Sequence, residues 1–370
     1  MPRIRAALVL PQGDHMAFTA QTNTMSRIIQ EVLEWNRAQS AEFCDASLAR
    51  QRHRAIHPTE IAALKCMDGR LNLALMTKTP PGIIYPFRSM GGRFSMAWPW
   101  FGDLIDEWVA YGISKGRCSV IMVTYHFSRS NNEHLGCKGW GYDKEGAMAA
   151  ARQIVKEIEH VFGARQREVR AIVVGLETDE DALVFHGEGD LDLGTLETTD
   201  EQVLWNRFRA IYPGMSVEML RDLFHFVKGN VAHIAETRTK RREPIDLDHR
   251  ENIIAVGRGF DWLHMPNRAL IIGPYGYEWA NEVAVAGKIV LSNLKAGRIK
   301  EEDGVLLLCS SAFRAERGTG KEEPRSELRA LEMARIAKAV LAKEVPELKF
   351  DVLVGKVDMD TRKLHVLEQS

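Results

Sequence analysis

The chain has 370 residues, 45% hydrophobic and 27% charged, with 49 Lys+Arg against 50 Asp+Glu for a net charge of −1. That length exceeds one compact core and predicts two domains or two packed halves. The balanced charge argues against nucleic acid or an anionic membrane as a partner.

The opening MPRIRAALVLPQGDH has a short apolar run but neither the core nor the cleavage site of a secretory signal, so none is expected. MSRIIQEVLEWNRAQSAEF (25–43) reads as a helix. IAALKCMDGR (61–70) reads as a strand leaving into a turn, and it carries Cys66, Asp68 and Arg70. The aromatic, Gly-rich GGRFSMAWPWFG (91–102) is expected as a buried contact or pocket wall, with a sticky assembly surface as the alternative. SVIMVTY (119–125) has strand length and ends at His126. A polar loop with His134 then leads to Cys137, and Gly139 and Gly141 permit a tight turn there.

DKEGAMAAARQIVKEIEHVF (143–162) is an amphipathic helix, and AIVVGL (171–176) is a strand before an acidic turn. VEMLRDLFHFVKGNVAHIAETR (217–238) is again helical, with His225 and His233 read as structural or solvent-facing. The basic run Arg238–Thr239–Lys240–Arg241–Arg242 reads as a solvated helix end. The apolar runs are of strand length and too short to span a bilayer. The five cysteines are odd in number and widely spaced, which is no disulfide framework. Cys44, Cys118 and Cys309 are expected in the core, and reduced thiols elsewhere are free to bind metal.

The chain is written twice. His126 falls on Ala312, Phe127 on Phe313 and Cys137 on Glu323 at a constant offset of 186. Each stretch leads into a helix (143–162 and 325–345), then a strand and an acidic turn, with Gly175 matched to Gly355. Upstream, an offset of 190 puts Cys66, Asp68 and Arg70 on Val256, Arg258 and Phe260. The copies run about 25–190 and 215–370. Strands alternating with helices predict an α/β fold of two tandem units, each a mainly parallel sheet covered by helices on both faces. The second copy keeps the packing pattern and lacks the reactive side chains.

Those side chains suit a borderline cation such as Zn²⁺, which takes thiolate and imidazole. Cys66 and one histidine stand at strand ends, the edge where open parallel sheets bind ligands. Cys66, a histidine and Cys137 make three protein ligands, leaving a position for water that such a metal ionises near neutral pH. Strand alternation would put residues 66, 68 and 70 on one side. Asp68 would then accept the water's proton as a hydrogen bond, with Arg70 holding it ionised, or Asp68 would itself ligate the metal in a resting form. The plain alternative is a buried cysteine beside a turn ion pair.

The motif Cys66–Met67–Asp68–Gly69–Arg70 and the later His/Cys stretch resemble the β-class carbonic anhydrases, and FRSMGGRF (87–94) is loosely similar to the segment between them. YHFS before a loop to Gly136–Cys137, GLETDEDALVFH and the degenerate second half resemble the carboxysome shell subfamily of that class. The ordinary H-x-x-C spacing would choose His134 as ligand, whereas the shell subfamily's longer gap chooses His126, which also stands on the firmer platform of a strand end. The resemblance implies two β-carbonic-anhydrase-like units packed as an internal pseudo-dimer. It divides the chain into a helical lead-in (1–55), a catalytic zinc unit (56–195), a helical connector (196–250) and a unit without metal ligands (251–370). It implies one Zn²⁺ per chain, with Cys66, His126 and Cys137 as ligands and Asp68 and Arg70 as catalytic residues. The activity implied is reversible hydration of carbon dioxide to bicarbonate. A related hydrolase acting on carbon disulfide or carbonyl sulfide, and a non-catalytic scaffold with structural zinc, are the alternatives. His134 or His186 would help carry the proton away. The expected partners are a second copy of the chain, in a homodimer or larger homo-oligomer, and carboxysome components. About 60 residues precede Cys66, less than the shell enzymes' packaging region, so a cytoplasmic location is expected with the carboxysome as the alternative.

Overall fold

The computed structural model describes residues 25–130, 136–165, 167–240, 249–258, 268–314 and 320–370. In chain order the first part contains α1 (Arg27–Asp45), α2 (Ser47–Ile56), β1 (Glu60–Cys66), α3 (Leu73–Met76), β2 (Ile84–Ser89), α4 (Pro99–Ser114), β3 (Ser119–Phe127) and α5 (Lys144–Phe162). It continues through β4 (Val169–Glu177), β5 (Ala182–His186), β6 (Asp190–Asp192), α6 (Glu201–Ile211) and α7 (Val217–Lys240). The second part contains β7 (Ile253–Gly257), β8 (Ala269–Ile272), α8 (Trp279–Lys295), β9 (Leu306–Phe313), α9 (Glu322–Glu344), β10 (Asp351–Asp358) and β11 (Leu364–Gln369).

The strands form two sheets, ordered β2-β1-β3-β4-β5-β6 and β11-β10-β9-β7-β8. The inner pairs are parallel, and β5, β6 and β11 add antiparallel edges. All nine residues of β3 are buried, as a central strand covered on both faces requires. On α5, Ala147, Ala151, Ile154, Ile158 and Phe162 repeat at helical spacing and bury one face against Ile121, Val123 and Tyr125. Asp143 caps that helix, accepting from Gly146 N–H at 3.0 Å. The architecture is the expected one of two tandem α/β units.

The register refines the internal alignment. Val123 lies beside Leu64 and Cys309 beside Val256, so the 186 offset on β3 and β9 carries Leu64 to Val256, an offset of 192. Cys66 therefore matches Arg258, not Val256, while the matches of Asp68 and Arg70 fall outside the described residues. Val173 pairs with Val123 and Val354 with Cys309, an offset of 181, so Gly175 matches Lys356 and not Gly355. A sequence alignment slipped by one or two here because glycine and small apolar residues recur along both strands.

Each unit's lead-in helix packs on the other unit's sheet. Ile28, Ile29 and Val32 of α1 bury against Ile253, Leu306, Leu308 and Leu353 of the second sheet. From α7, Leu220, Leu223 and Val227 join the core under the first sheet, with Ile172, Val174 and Leu183. The same side chain fixes both exchanges. Asn36 on α1 accepts from Leu364 N–H and donates to Arg362 O, each at 2.9 Å. Asn230 on α7 accepts from Leu183 N–H at 2.9 Å and donates to Asp181 O at 2.8 Å. Leu183 to Leu364 and Asp181 to Arg362 repeat the 181 offset, and both turn residues have positive φ. These buried amides are satisfied in the same way twice, which ties each hairpin to the exchanged helix.

One expectation changes. Cys44 is exposed and Cys118 only partly buried, because α1 turns Cys44 outward; Cys309 is buried as expected. The 91–102 stretch forms a wall against the second unit in part, while Trp98 and Trp100 remain exposed. Phe94 and Phe101 meet Tyr275 of the second unit, and Trp98 meets Tyr277 at 5.7 Å.

Candidate active site

Cys66 ends β1, His126 stands near the end of β3, and Cys137 follows the loop after β3. One donor atom from each lies within 4.8 Å of the others, and all three residues are buried. His134 lies outside the described residues. The turn after Cys137 forms as expected, with Trp140 N–H and Tyr142 N–H both donating to Cys137 O and Gly141 at φ +58. It is docked by Trp140 Nε1, which donates to Gly91 O at 2.7 Å, and by Arg93, which donates to Gly139 O at 3.0 Å. Gly139 is needed there, since a Cβ would sit 3.0 Å from the Gly91 backbone.

The strand does not continue through Arg70. β1 ends at Cys66, and alternation does not bring 66, 68 and 70 together. A turn does it instead. Asp68 Oδ1 accepts from the Arg70 backbone N–H and from Nε, both at 3.0 Å, and Oδ2 accepts from the other guanidinium nitrogen at 2.6 Å. Arg88 on β2 braces this turn, donating to the carbonyls of Cys66, Asp68 and Leu71 at 3.1, 2.6 and 2.9 Å. Asp68 Oδ2 lies 3.7 Å from His126 Nε2, beside the donor cluster.

Electrostatics follow from this packing. Burial opposes ionisation of Asp68, but the charge and hydrogen bonds of Arg70, with His249 and His126 adding, hold its carboxyl far below the usual range. Burial likewise opposes the Arg70 charge, and Asp68 more than restores it. The adjacent Cys137 side chain lowers the Cys66 pKa well below its ordinary value against the opposing effect of burial, with His126 also lowering it. The Cys66 side chain and burial raise that of Cys137. His126 Nδ1 is buried without a hydrogen-bond partner among the described residues. Two adjacent sulfurs, one poised as thiolate, and an imidazole with an unspent nitrogen are a chemically fitting set for a borderline cation.

The second unit completes the site, which sequence reasoning missed. Gly69 N–H donates to Ala269 O and Ile271 N–H to Met67 O, so the edge of β8 clamps the Asp68 turn. Arg70 meets His249 Nε2 at 3.2 Å, and His249 Nδ1 meets Glu251 Oε1 at 2.6 Å. Glu251 is fixed in turn by Asn293 at 3.0 Å. Glu282 on α8 accepts from Ser89 Oγ at 2.9 Å and Met90 N–H at 2.8 Å. Burial, only partly offset by those hydrogen bonds, pushes its pKa up to about 7. The available signal was slight: polar residues immediately before a buried strand, HRENIIAV, and one acid inside the apolar face of a helix.

His186 stands apart from this site. Tyr125 and His126 point to opposite faces of β3, and His186 Nε2 meets Tyr125 Oη at 2.9 Å while its Nδ1 meets Asp190 at 2.7 Å. Both nitrogens are engaged on the face away from His126.

The family profile described as Carboxysome Shell Carbonic Anhydrase, catalytic domain, matches residues 111–208, a window holding His126 and Cys137 but not the Cys66 motif. The chain is similar to the carboxysome shell carbonic anhydrases. It is 29% identical to that of Parasynechococcus marenigrum over 171 residues, 40% of this chain and 29% of the relative. To that of Prochlorococcus marinus subsp. pastoris it is 30% identical over 241 residues, 55% of this chain and 46% of the relative. A third, from Halothiobacillus neapolitanus, is 23% identical over 302 residues, 68% of this chain and 55% of the relative. The chain thus spans 29–55% of the length of these relatives. Among the described residues no helix is long and apolar enough to cross a membrane.

Proposed function

We propose that the chain is a zinc-dependent carbonic anhydrase that interconverts carbon dioxide and bicarbonate, with residues 56–195 as the catalytic unit and 251–370 as a unit without metal. The observation that carries this reading is the buried Cys66–His126–Cys137 cluster lying against an ion-paired Asp68. These three side chains would hold zinc, which would supply the Lewis acidity that activates a water.

The chain's own residues do the rest. Asp68 stays ionised at any working pH because Arg70 grips both of its oxygens, so it acts as a hydrogen-bond acceptor and not as a ligand. From beside His126 it accepts the proton of the attacking oxygen as a hydrogen bond and turns a lone pair toward the carbon of carbon dioxide. Arg70 cannot swing away freely, because His249 holds its far side and Arg88 fixes the turn on which it sits. The near-complete burial of Asp68 and His126 excludes bulk water and strengthens these contacts. A site shared with β8 and α8 requires both units, so we read the second unit as a support.

Stopped-flow carbon dioxide hydration, with zinc measured on the same sample, tests the proposal. Asp68→Asn is expected to keep the zinc of this site and lose roughly 100-fold or more in turnover, the range for removing a proton acceptor. Full activity in that variant, or an inactive wild-type chain carrying one zinc, rejects it. The relatives are named for the carboxysome shell, and co-sedimentation with intact carboxysomes would show whether this chain shares that location.

A further inference from the structure

A second cluster of ligand-type side chains lies outside this site, between the first unit's lead-in and the exchanged helix α7. His53 lies in the last turn of α2 and His57 is the residue that caps its C-terminus. His225 comes to them from α7. The ring centroids form a near-equilateral triangle: 4.9 Å for His53–His57, 4.9 Å for His53–His225 and 4.7 Å for His57–His225. A cation ~2.0–2.1 Å from three imidazole nitrogens needs ring centroids about 5 Å apart, so the rings have the centroid spacing of a tri-histidine site, although their nitrogens do not converge as the donors of Cys66, His126 and Cys137 do.

We infer that His53, His57 and His225 form a second metal site, for a divalent transition cation such as Zn²⁺ or Ni²⁺, with Asp222 as a positioning carboxylate. His57 Nδ1 faces Asp222 Oδ1 at 3.3 Å, the orientation that presents Nε2 as a ligand. Asp222 is itself fixed by Thr59 N–H, 2.9 Å from its other oxygen. His225 Nε2 is buried and has no hydrogen-bond partner among the described residues. Binding asks each ring to turn about χ2, a soft torsion, so that one nitrogen faces the common centre.

Two of the rings, His53 and His225, have lowered pKa values, which favours the neutral, ligand-competent form. Burial comes first, then the neighbouring imidazoles and Arg54, which together lower His53 to about 4. Burial, His57 and Lys228 lower His225 as well. Of the nearby cations, Lys228 is engaged with Glu201 at 3.0 Å and Arg54 with Gly82 O at 2.9 Å, while Arg221 also lines the adjoining cavity. A cavity of about 500 Å³, lined in part by His57, Trp205, Phe224 and His225, opens onto the cluster and admits ion and water. Soft imidazole donors with no thiolate favour Zn²⁺, Ni²⁺ or Cu²⁺ over Mg²⁺ or Ca²⁺.

The test is metal stoichiometry on the chelator-stripped full chain at pH 7.5, by calorimetric titration with Zn²⁺ and elemental analysis. The expected result is two equivalents for the wild type. His53→Gln and His225→Gln should each weaken the second equivalent about 100-fold while keeping the first, with unchanged circular dichroism. Asp222→Asn should weaken it about 10–100-fold. Cu²⁺ loaded at this site should show hyperfine splitting from three nitrogens, a signature no packing role would give. A single equivalent in the wild type overturns the proposal, and so does a second equivalent that survives both His→Gln changes.

Discussion

Set side by side, the two units share a scaffold and differ in chemistry at one corner. Asn36 and Asn230 make the same pair of bonds to equivalent hairpins. At the strand ends the likeness stops. Arg258 stands where Cys66 does, and Ala312 where His126 does. The Arg258 guanidinium lies 5.2 Å over the Tyr85 ring of the first unit, so a fixed cation now packs against an aromatic face of the other half. The comparison teaches that packing devices and reactive groups are separable. The second unit has Arg258 and Ala312 at the positions of Cys66 and His126, and from it Ala269, His249, Glu251 and Glu282 reach into the first.

The comparison can be broken at its strongest point first. Cys137→Ser should reduce the zinc of the first site from one per chain to near none and bring carbon dioxide hydration to background, while Glu323, its counterpart, can be changed to Gln with activity intact. Next, Asn230→Ala should cost about 2–4 kcal/mol in urea unfolding, since it leaves buried backbone groups of Leu183, Asp181 and Met76 unpaired. Asn36→Ala, which frees two such groups, should cost somewhat less.

The Glu282 carboxyl sets a pH dependence. Its folded pKa, about 7, lies above its unfolded value, so its share of stability is full below about pH 4.5 and is lost as the pH rises through 7. Glu282→Gln should remove that slope and raise stability at pH 8 by up to about 3 kcal/mol, measured by denaturant unfolding across pH. The smallest effect sharpens the support role. Glu251→Gln should lower turnover about 10-fold with zinc unchanged, because the amide holds His249, and through it Arg70, less firmly.

Much of the fold was legible, for physical reasons. Central strands buried on both faces read as unbroken apolar runs, and α5 shows its stripe. The first-unit site residues were legible as residue types at strand ends, and the structure does bring Cys66, His126, Cys137, Asp68 and Arg70 together. The way they meet was not legible: the turn after Cys66 depends on Arg88, 22 residues away from Cys66 in sequence. The exchange of α1 and α7 was hidden because both lead-in helices carry equally apolar faces, and nothing local says which sheet each will cover. His225 read as structural or solvent-facing because its partners lie about 170 residues earlier.

The swapped lead-in helices impose an order on synthesis. The first sheet is finished at Asp192, yet one apolar side stays bare until the ribosome has delivered residues up to Lys240. At 5–20 residues per second that gap of roughly fifty residues is about 3–10 s. The nascent chain must shelter that surface before its own downstream helix arrives to cover it.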